Sequence, residues 1–320
     1  MTKPTYRELL QRTDAPPGSS WGLLGDLGSI SRLSRESVMR ATQCVKSGDT
    51  FNLDWPLNAF APPVAATRRA SIHYIFQRHA NHRDDYLDSF FLQGSSQIDG
   101  LRHFRHPEYG FYNGASDDAV QVGGGRLGVE GWSEHGIIGR GVLVDVDAFL
   151  VASRGSGLDQ AAGEAFSVGV IEEAAAWEGV ELRPNDVLLL RTGWTRYYFE
   201  QMTAAEREAL PMELVSPGIA PEQDSLAWLW DHQLALVAAD NVAVEALRRP
   251  DIRAEVRSEL ADGLHTSLIA MLGLAIGELW RLDELADACA TDGRYEMMVI
   301  SKPLNLIGGV GSPSNAMAIR

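Results

Sequence analysis

The residues best suited to chemistry lie in one stretch, Gln93-Gly94-Ser95-Ser96-Gln97-Ile98-Asp99-Gly100-Leu101-Arg102-His103. Amide, carboxylate and imidazole groups gather here between apolar flanks, Phe90-Phe91-Leu92 before and Phe104 after. In a helix, Gln93 and Gln97 would share a face while Asp99 and His103 point about 120° away. In an extended chain, Gln93, Ser95, Gln97, Asp99 and His103 would all project to one side. Two readings stay open from the residues themselves: a polar loop leaving a strand, or a cleft wall that holds a metal ion or a substrate.

Other candidates are scattered along the chain. His265 stands before an apolar helical stretch, Ser267 to Leu272, and Glu278 lies in the short strand that follows. A histidine beside an apolar helix is commonly a satisfied structural residue. A carboxylate in the apolar run 274–280 is harder to dismiss, because burying it is costly unless it is paired or metal-bound. Phe104, Tyr109, Phe111 and Tyr112 form an aromatic loop that reads as core or as a substrate wall. Arg140, between Gly139 and Gly141, reads as a clamp for a substrate carboxylate or as an ordinary ion pair. His106 is a second acid/base candidate or a surface residue, and His135 a loop residue or one that lines the site.

The pattern Gln-x-Ser-Ser-Gln-x-Asp-x-x-x-His resembles the His-x-Gly-Thr-His-x-Asp-x-Pro-x-His signature of the metal-dependent cyclase family, which includes bacterial kynurenine formamidases and isatin hydrolases. Asp99 and His103 match it and Ser96 is a near match for its Thr, whereas Gln93 and Gln97 stand at two ligand histidines. Gly141 to Asp145, Leu189 to Trp194, Ser216-Pro217-Gly218 and a strand ending at Asp240 follow in the family's order. The resemblance implies an α/β fold of the swivelling β/β/α type, a layered domain with a mixed sheet that forms homodimers or homotetramers. It also implies hydrolysis of an amide, formamide, lactam or lactone bond in a small cyclic or aromatic substrate. By the same resemblance Gln93, Gln97, Asp99 and His265 would hold a metal, with His103 and Glu278 catalytic. Phe104, Tyr109, Tyr112 and Arg140 would then meet the substrate. Exchanging imidazole for amide oxygen makes the donor set oxygen-rich, which points to one Mn²⁺ or a weakly held Zn²⁺ rather than two zinc ions. A metal-free site whose glutamines bind the substrate directly is the alternative. Two rival functions accompany it: a metal-free cyclase, lyase or isomerase using His103, Asp99 and Glu278, and a non-catalytic binder.

Strands and helices must bring these distant residues together. Ser34 opens a helix in capping style, and Tyr6 to Arg12 forms a short one before a Pro/Gly linker, as a frayed end or an arm docked on a partner. Residues 51–57 and 72–76 read as strands. From Gly141 onward apolar runs at 142–146, 186–190, 234–239 and 297–301 alternate with helical stretches at 163–178 and 222–232, which argues for an α/β sheet. The organisation expected is an N-terminal arm with helices over 1–45 and a single catalytic domain over 46–320. Gly123-Gly-Gly125-Arg-Leu-Gly128 matches a dinucleotide pattern, but the polar residues before it make a surface loop the better reading. The P-loop and H-E-x-x-H patterns do not occur.

Composition narrows the partners. With 320 residues, 45% hydrophobic and 22% charged, the chain can bury a large core. A formal net charge of −15 disfavours nucleic acid and anionic membranes, leaving a small molecule as the substrate. Two distant cysteines, Cys44 and Cys289, read as thiols in the cytoplasm.

Overall fold

Runs such as Val142 to Val144, Val187 to Leu190 and Leu236 to Ala239 are apolar at consecutive positions rather than alternating. Such strands need cover on both faces, which a parallel sheet flanked by helices supplies. The structure, a computed structural model describing residues 3–247 and 263–320, is built on that arrangement. Thirteen strands are present among these residues. In chain order they are β1 (Thr50–Asn52), β2 (Ile72–His79), β3 (His82–Asp88), β4 (Gln97–Asp99), β5 (Ile137–Asp145), β6 (Ala165–Phe166) and β7 (Val187–Arg191). They continue with β8 (Gly218–Ile219), β9 (Leu236–Ala239), β10 (Ala275–Glu278), β11 (Glu296–Ser301), β12 (Gly311–Pro313) and β13 (Ala316–Ile319). Nine form one sheet in the order β1-β13-β11-β5-β7-β9-β10-β4-β12.

The centre of this sheet, β5-β7-β9-β10, is parallel. Antiparallel strands extend it on both sides, β11, β13 and β1 at one end and β4 and β12 at the other. The mixed α/β architecture is the one expected. Helices Val168–Glu178 and Gln223–Asp231 follow the sequence reading within a few residues. β5 begins earlier than the apolar run suggests because Ile137 and Ile138 pair with Ser301 and Ile300. The strand expected over 51–57 shrinks to β1, where pairing with β13 ends at Asn52.

The N-terminal segment is not frayed but packs onto the body of its own chain. Leu9 and Ile30 are fully buried in the main core, together with Tyr6 and Leu33. The Tyr6 amide donates to Asp231 Oδ1 at 2.7 Å, Trp230 Nε1 to the Pro4 carbonyl at 2.8 Å and Ser29 Oγ to the Ala235 carbonyl at 2.6 Å. The glycine-rich segment 123–128 is a loop, as read from sequence. The buried Arg102 guanidinium pins it, donating to the Gly124 and Arg126 carbonyls within the loop and to those of Ala119 and Gln121 just before it. Cys44 and Cys289 are unpaired, and among the described residues no helix is long and apolar enough to cross a membrane.

One element stands apart. β2 and β3 pair only with each other, and nearly every side chain on them is exposed. This hairpin leaves the body just after Arg68 and returns just before Gln93.

Ile98 sits at the middle of β4, hydrogen-bonded between β10 and β12, with none of its side chain exposed. Ile98→Ala should destabilise the fold by about 2–5 kcal/mol through lost burial and the cavity left behind. In urea unfolding this appears as a lowered midpoint with an unchanged slope.

Candidate metal and catalytic site

Strand geometry dictates the site. Gln97 and Asp99, two residues apart on β4, project from one face, while Ile98 projects from the other. Antiparallel pairing sets Gln97 directly opposite Glu278 and Asp99 opposite Ile276, so Glu278 joins that face. Side-chain bonds lock this short strand in place. Ser96 Oγ donates to the Leu279 carbonyl at 2.6 Å and accepts from the Trp55 amide at 2.9 Å. Trp280 Nε1 donates to the Gln97 carbonyl at 2.9 Å. A Cβ on Gly311 of β12 would lie 2.7 Å from Gln93 Cδ, so the glycine makes room for the Gln93 side chain.

His265 arrives from the helical turn Gly263–His265, which runs into a π-helical turn over Thr266–Met271. Its Nε2 lies 2.8 Å from Glu278 Oε1 and 3.7 Å from Asp99 Oδ2. His103 Nε2 lies 3.5 Å from the same Asp99 oxygen, and 23% of the His103 side chain is exposed. The two residue pairs, distant in sequence, thus meet at Asp99. Phe104 closes the group, with its ring 4.9 Å from His103 and 5.1 Å from His265.

Two further residues belong to the site, and sequence reasoning missed both. Glu245, fully enclosed, holds His265 Nδ1 at 2.7 and 2.8 Å through its two oxygens. Its backbone presses on Gly218, where a Cβ would fall 2.3 Å from the Glu245 carbonyl carbon. The Ser-Pro-Gly motif at 216–218 was therefore the available signal. Arg68, half-buried, donates through Nη1 to the Gln93 carbonyl and, at 3.1 Å, to Gln97 Oε1. It lies in irregular chain without any pattern that marks it.

The glutamines correct one expectation. With Gln97 Oε1 taken by Arg68, its Nε2 donates to Glu278 Oε2, and Gln93 Nε2 donates to Asp99 Oδ1 at 2.5 Å. Both serve as donors to the carboxylates rather than as oxygen ligands. Two substrate-binding expectations also fall. Tyr112 is buried in the core, its hydroxyl 3.3 Å from Ser20 Oγ. Arg140 is buried on β5, three strands away from β10, and its guanidinium is held by Asp186 and Glu296. Tyr109 stacks on His106 at 4.7 Å; among the described residues its ring contact is there, not with the carboxylate–imidazole group. His135 Nε2 donates to the Leu33 carbonyl at 2.8 Å, outside the site.

The electrostatics suit a cation. Asp99, Glu245 and Glu278 bring three carboxylates into one buried volume. Burial and the Asp99 charge push Glu278 up to about 7. Burial opposes charge on the His265 ring, but Glu245 and Glu278 outweigh it and hold the ring protonated well above its ordinary range. Because Nδ1–H is committed to Glu245, the Nε2 proton is the one a metal would replace. Asp99 Oδ2 is buried without a hydrogen-bond partner, an arrangement that calls for an ion or a water. Ligand atoms of Asp99, His265 and Glu278 all lie within 4.8 Å of one another. The residues therefore fit a divalent ion, with Glu245 fixing the tautomer of the imidazole behind it.

Glu245→Gln should weaken metal affinity by roughly 10–100-fold, the usual loss when the carboxylate behind a ligating histidine is removed. Competition with a chromophoric chelator measures this, and circular dichroism should show the fold unchanged.

Comparison with known proteins agrees with this geometry. Residues 53–246 match the family "Putative cyclase". The crystal structure of a novel cyclase superposes with a TM-score of 0.81 at 31% identity, over 94% of this chain and 99% of that one. Isatin hydrolase A from Labrenzia aggregata superposes with a TM-score of 0.55 at 15% identity, over 87% and 94% of the two chains. For a predicted metal-dependent hydrolase from Bacillus stearothermophilus the values are 0.52 and 14%, over 85% and 98%. At those lower identities the likeness is one of fold. No curated protein matches the sequence. The shared family region and the near-complete superposition on the 31%-identical relative lead to one conclusion: the chain belongs to the cyclase family.

Proposed function

We propose that this protein is a divalent-metal-dependent hydrolase that cleaves an amide, lactam or ester bond in a small cyclic or aromatic substrate. The observation that carries this reading is the unpartnered Asp99 Oδ2, buried where His103, His265 and Glu278 converge. Two carboxylates and one imidazole suit Mn²⁺ or Zn²⁺. A cation held there would lower the pKa of a water and polarise the scissile carbonyl. His103 is more exposed than His265, 23% against 9% of the side chain, so it takes the proton of the attacking water and passes it to the leaving nitrogen or oxygen. Gln93 and Gln97 steady the two carboxylates through their amide N–H groups, and the Phe104 ring offers an apolar face to the substrate.

The proton-transfer role sets a pH profile. Burial lowers the His103 pKa below 6.5 by more than the Asp99 charge raises it, and the charges of His265 and Arg68 lower it further. A base must be neutral, so kcat/KM should rise with pH through a value below 6.5 and level off by neutrality. His103→Ala should cut turnover by about 10²–10⁴-fold while metal content stays unchanged. Chelation should abolish hydrolysis and Mn²⁺ or Zn²⁺ should restore it, as assayed on a panel of aryl amides, lactams and esters. Turnover that survives chelation and still falls in His103→Ala would transfer the chemistry to a metal-free proton-transfer enzyme.

We also propose that the protein works as a homo-oligomer in the cytoplasm, assembled through the β2–β3 hairpin. An isolated two-stranded hairpin is marginal in water, and this one exposes Ile75 at 67% and Tyr86 at 53%. Its tip carries Arg78, His79, His82 and Arg83, whereas the chain as a whole has a formal charge of −15. The exposed apolar side chains are the surface a second copy of this chain would cover, and the two arginines at the tip would meet an acidic body there. Sedimentation should give a mass that is a multiple of 35.0 kDa, and Ile75→Asp should shift it to the monomer without loss of fold. A monomeric parent protein would refute this assembly.

A further inference from the structure

The cation beside the site is not the one its sequence advertised. Arg140, flanked by glycines, is spent on Asp186 and Glu296. Arg191 is spent likewise on Asp145 and Asp283. Arg68 differs from both: among the described residues it forms no ion pair, and only Nη1 is engaged, on two neutral oxygens. Its Nε and Nη2 have no protein partner among the described residues, yet neither is sealed from solvent. That leaves one edge of a planar guanidinium open, tethered through Gln97 to Glu278. The open edge has the two-donor geometry that carboxylates accept in parallel.

Formal charge points the same way. Asp99, Glu245 and Glu278 contribute three negative charges. A divalent ion together with Arg68 balances them, given neutral His103 and His265. Without Arg68 the same site would be net negative and would repel an anionic ligand. Arg68 bonds Gln97, which in turn bonds Glu278, so one side chain separates the guanidinium from that carboxylate.

We propose that Arg68 recognises a carboxylate on the substrate, which narrows the substrate class to small aromatic or cyclic amides and esters that carry a carboxylate close to the bond cleaved. This inference rests on the hydrolase reading above. Arg68 acts as a specificity-determining residue and takes no part in proton transfer.

The test uses the full chain, with its metal content measured in each preparation, and two matched probes, phenylacetate and phenylacetamide. Binding is followed by ligand-observed NMR titration. The parent protein should prefer phenylacetate by roughly 10–100-fold, the range expected of hydrogen bonds to a charged group. Arg68→Met should bind the two probes alike while metal content per chain is retained. Arg68→Lys, which keeps the charge but loses the fork, should retain a reduced preference and serves as the readout if the Met variant does not fold. A parent protein that binds both probes equally would overturn the proposal. So would a full preference for phenylacetate in Arg68→Met or in Arg68→Lys, since the anion would then be held by another group. Loss of the hydrolase reading shows separately, as a parent protein that takes up no metal, whatever the probes do.

Discussion

Three buried carboxylates in one small volume are the constraint to which this site answers. Like charges at such separations repel strongly in a medium less polarisable than water. The chain meets that repulsion piecemeal. His265 lies between Glu245 and Glu278, the glutamine amides turn their N–H groups to Asp99 and Glu278, and Arg68 stands behind Gln97. One oxygen is left over, Oδ2 of Asp99, and it faces the two imidazole nitrogens. The site is built around that remainder.

The scaffold holds the carboxylates where side-chain packing alone could not. Asp99 and Glu278 lie on adjacent antiparallel strands whose register is fixed by bonds from Ser96 and Trp280. Glu245 lies in irregular chain, and its position depends on contact with Gly218 and on the bonds of Asn241 to the Pro217 and Val244 carbonyls. A comparable clamp orders the neighbouring strand ends. Asp240 takes the amides of Thr192 and Gly193 at 2.7 and 2.9 Å, and burial pushes its carboxyl up to about 7. The Arg191-Thr-Gly segment thus supports the framework beside the site rather than the site itself.

Much of this was legible in the amino-acid order. Apolar runs marked β5, β7, β9 and β11 because buried strands must be apolar, and the 93–103 stretch announced a site because its polar groups recur at the strand period. Glu278 was conspicuous as a carboxylate within an apolar run. Arg68 and Glu245 were hidden because nothing local sets them apart; each matters only through a partner far along the chain. Arg140 and Tyr112 misled for the converse reason. Glycine neighbours and an aromatic cluster look the same in a core as in a pocket, and only burial distinguishes them. The second strand of the hairpin, His82–Asp88, was masked by its charges, which are tolerated because that strand faces solvent on both sides.

The brevity of β4 has its own corollary. Gripped along both edges, these three residues cannot slide by one position without turning Asp99 away and bringing Ile98 into the polar cluster. Chain length through this part of the protein is therefore constrained, whereas a replacement at 93 or 97 changes what meets the carboxylates without shifting the strand that carries Asp99. Such a mount separates the frame from the chemistry: the donors offered to the carboxylates are set by side chains, and the position of the carboxylates by strand pairing.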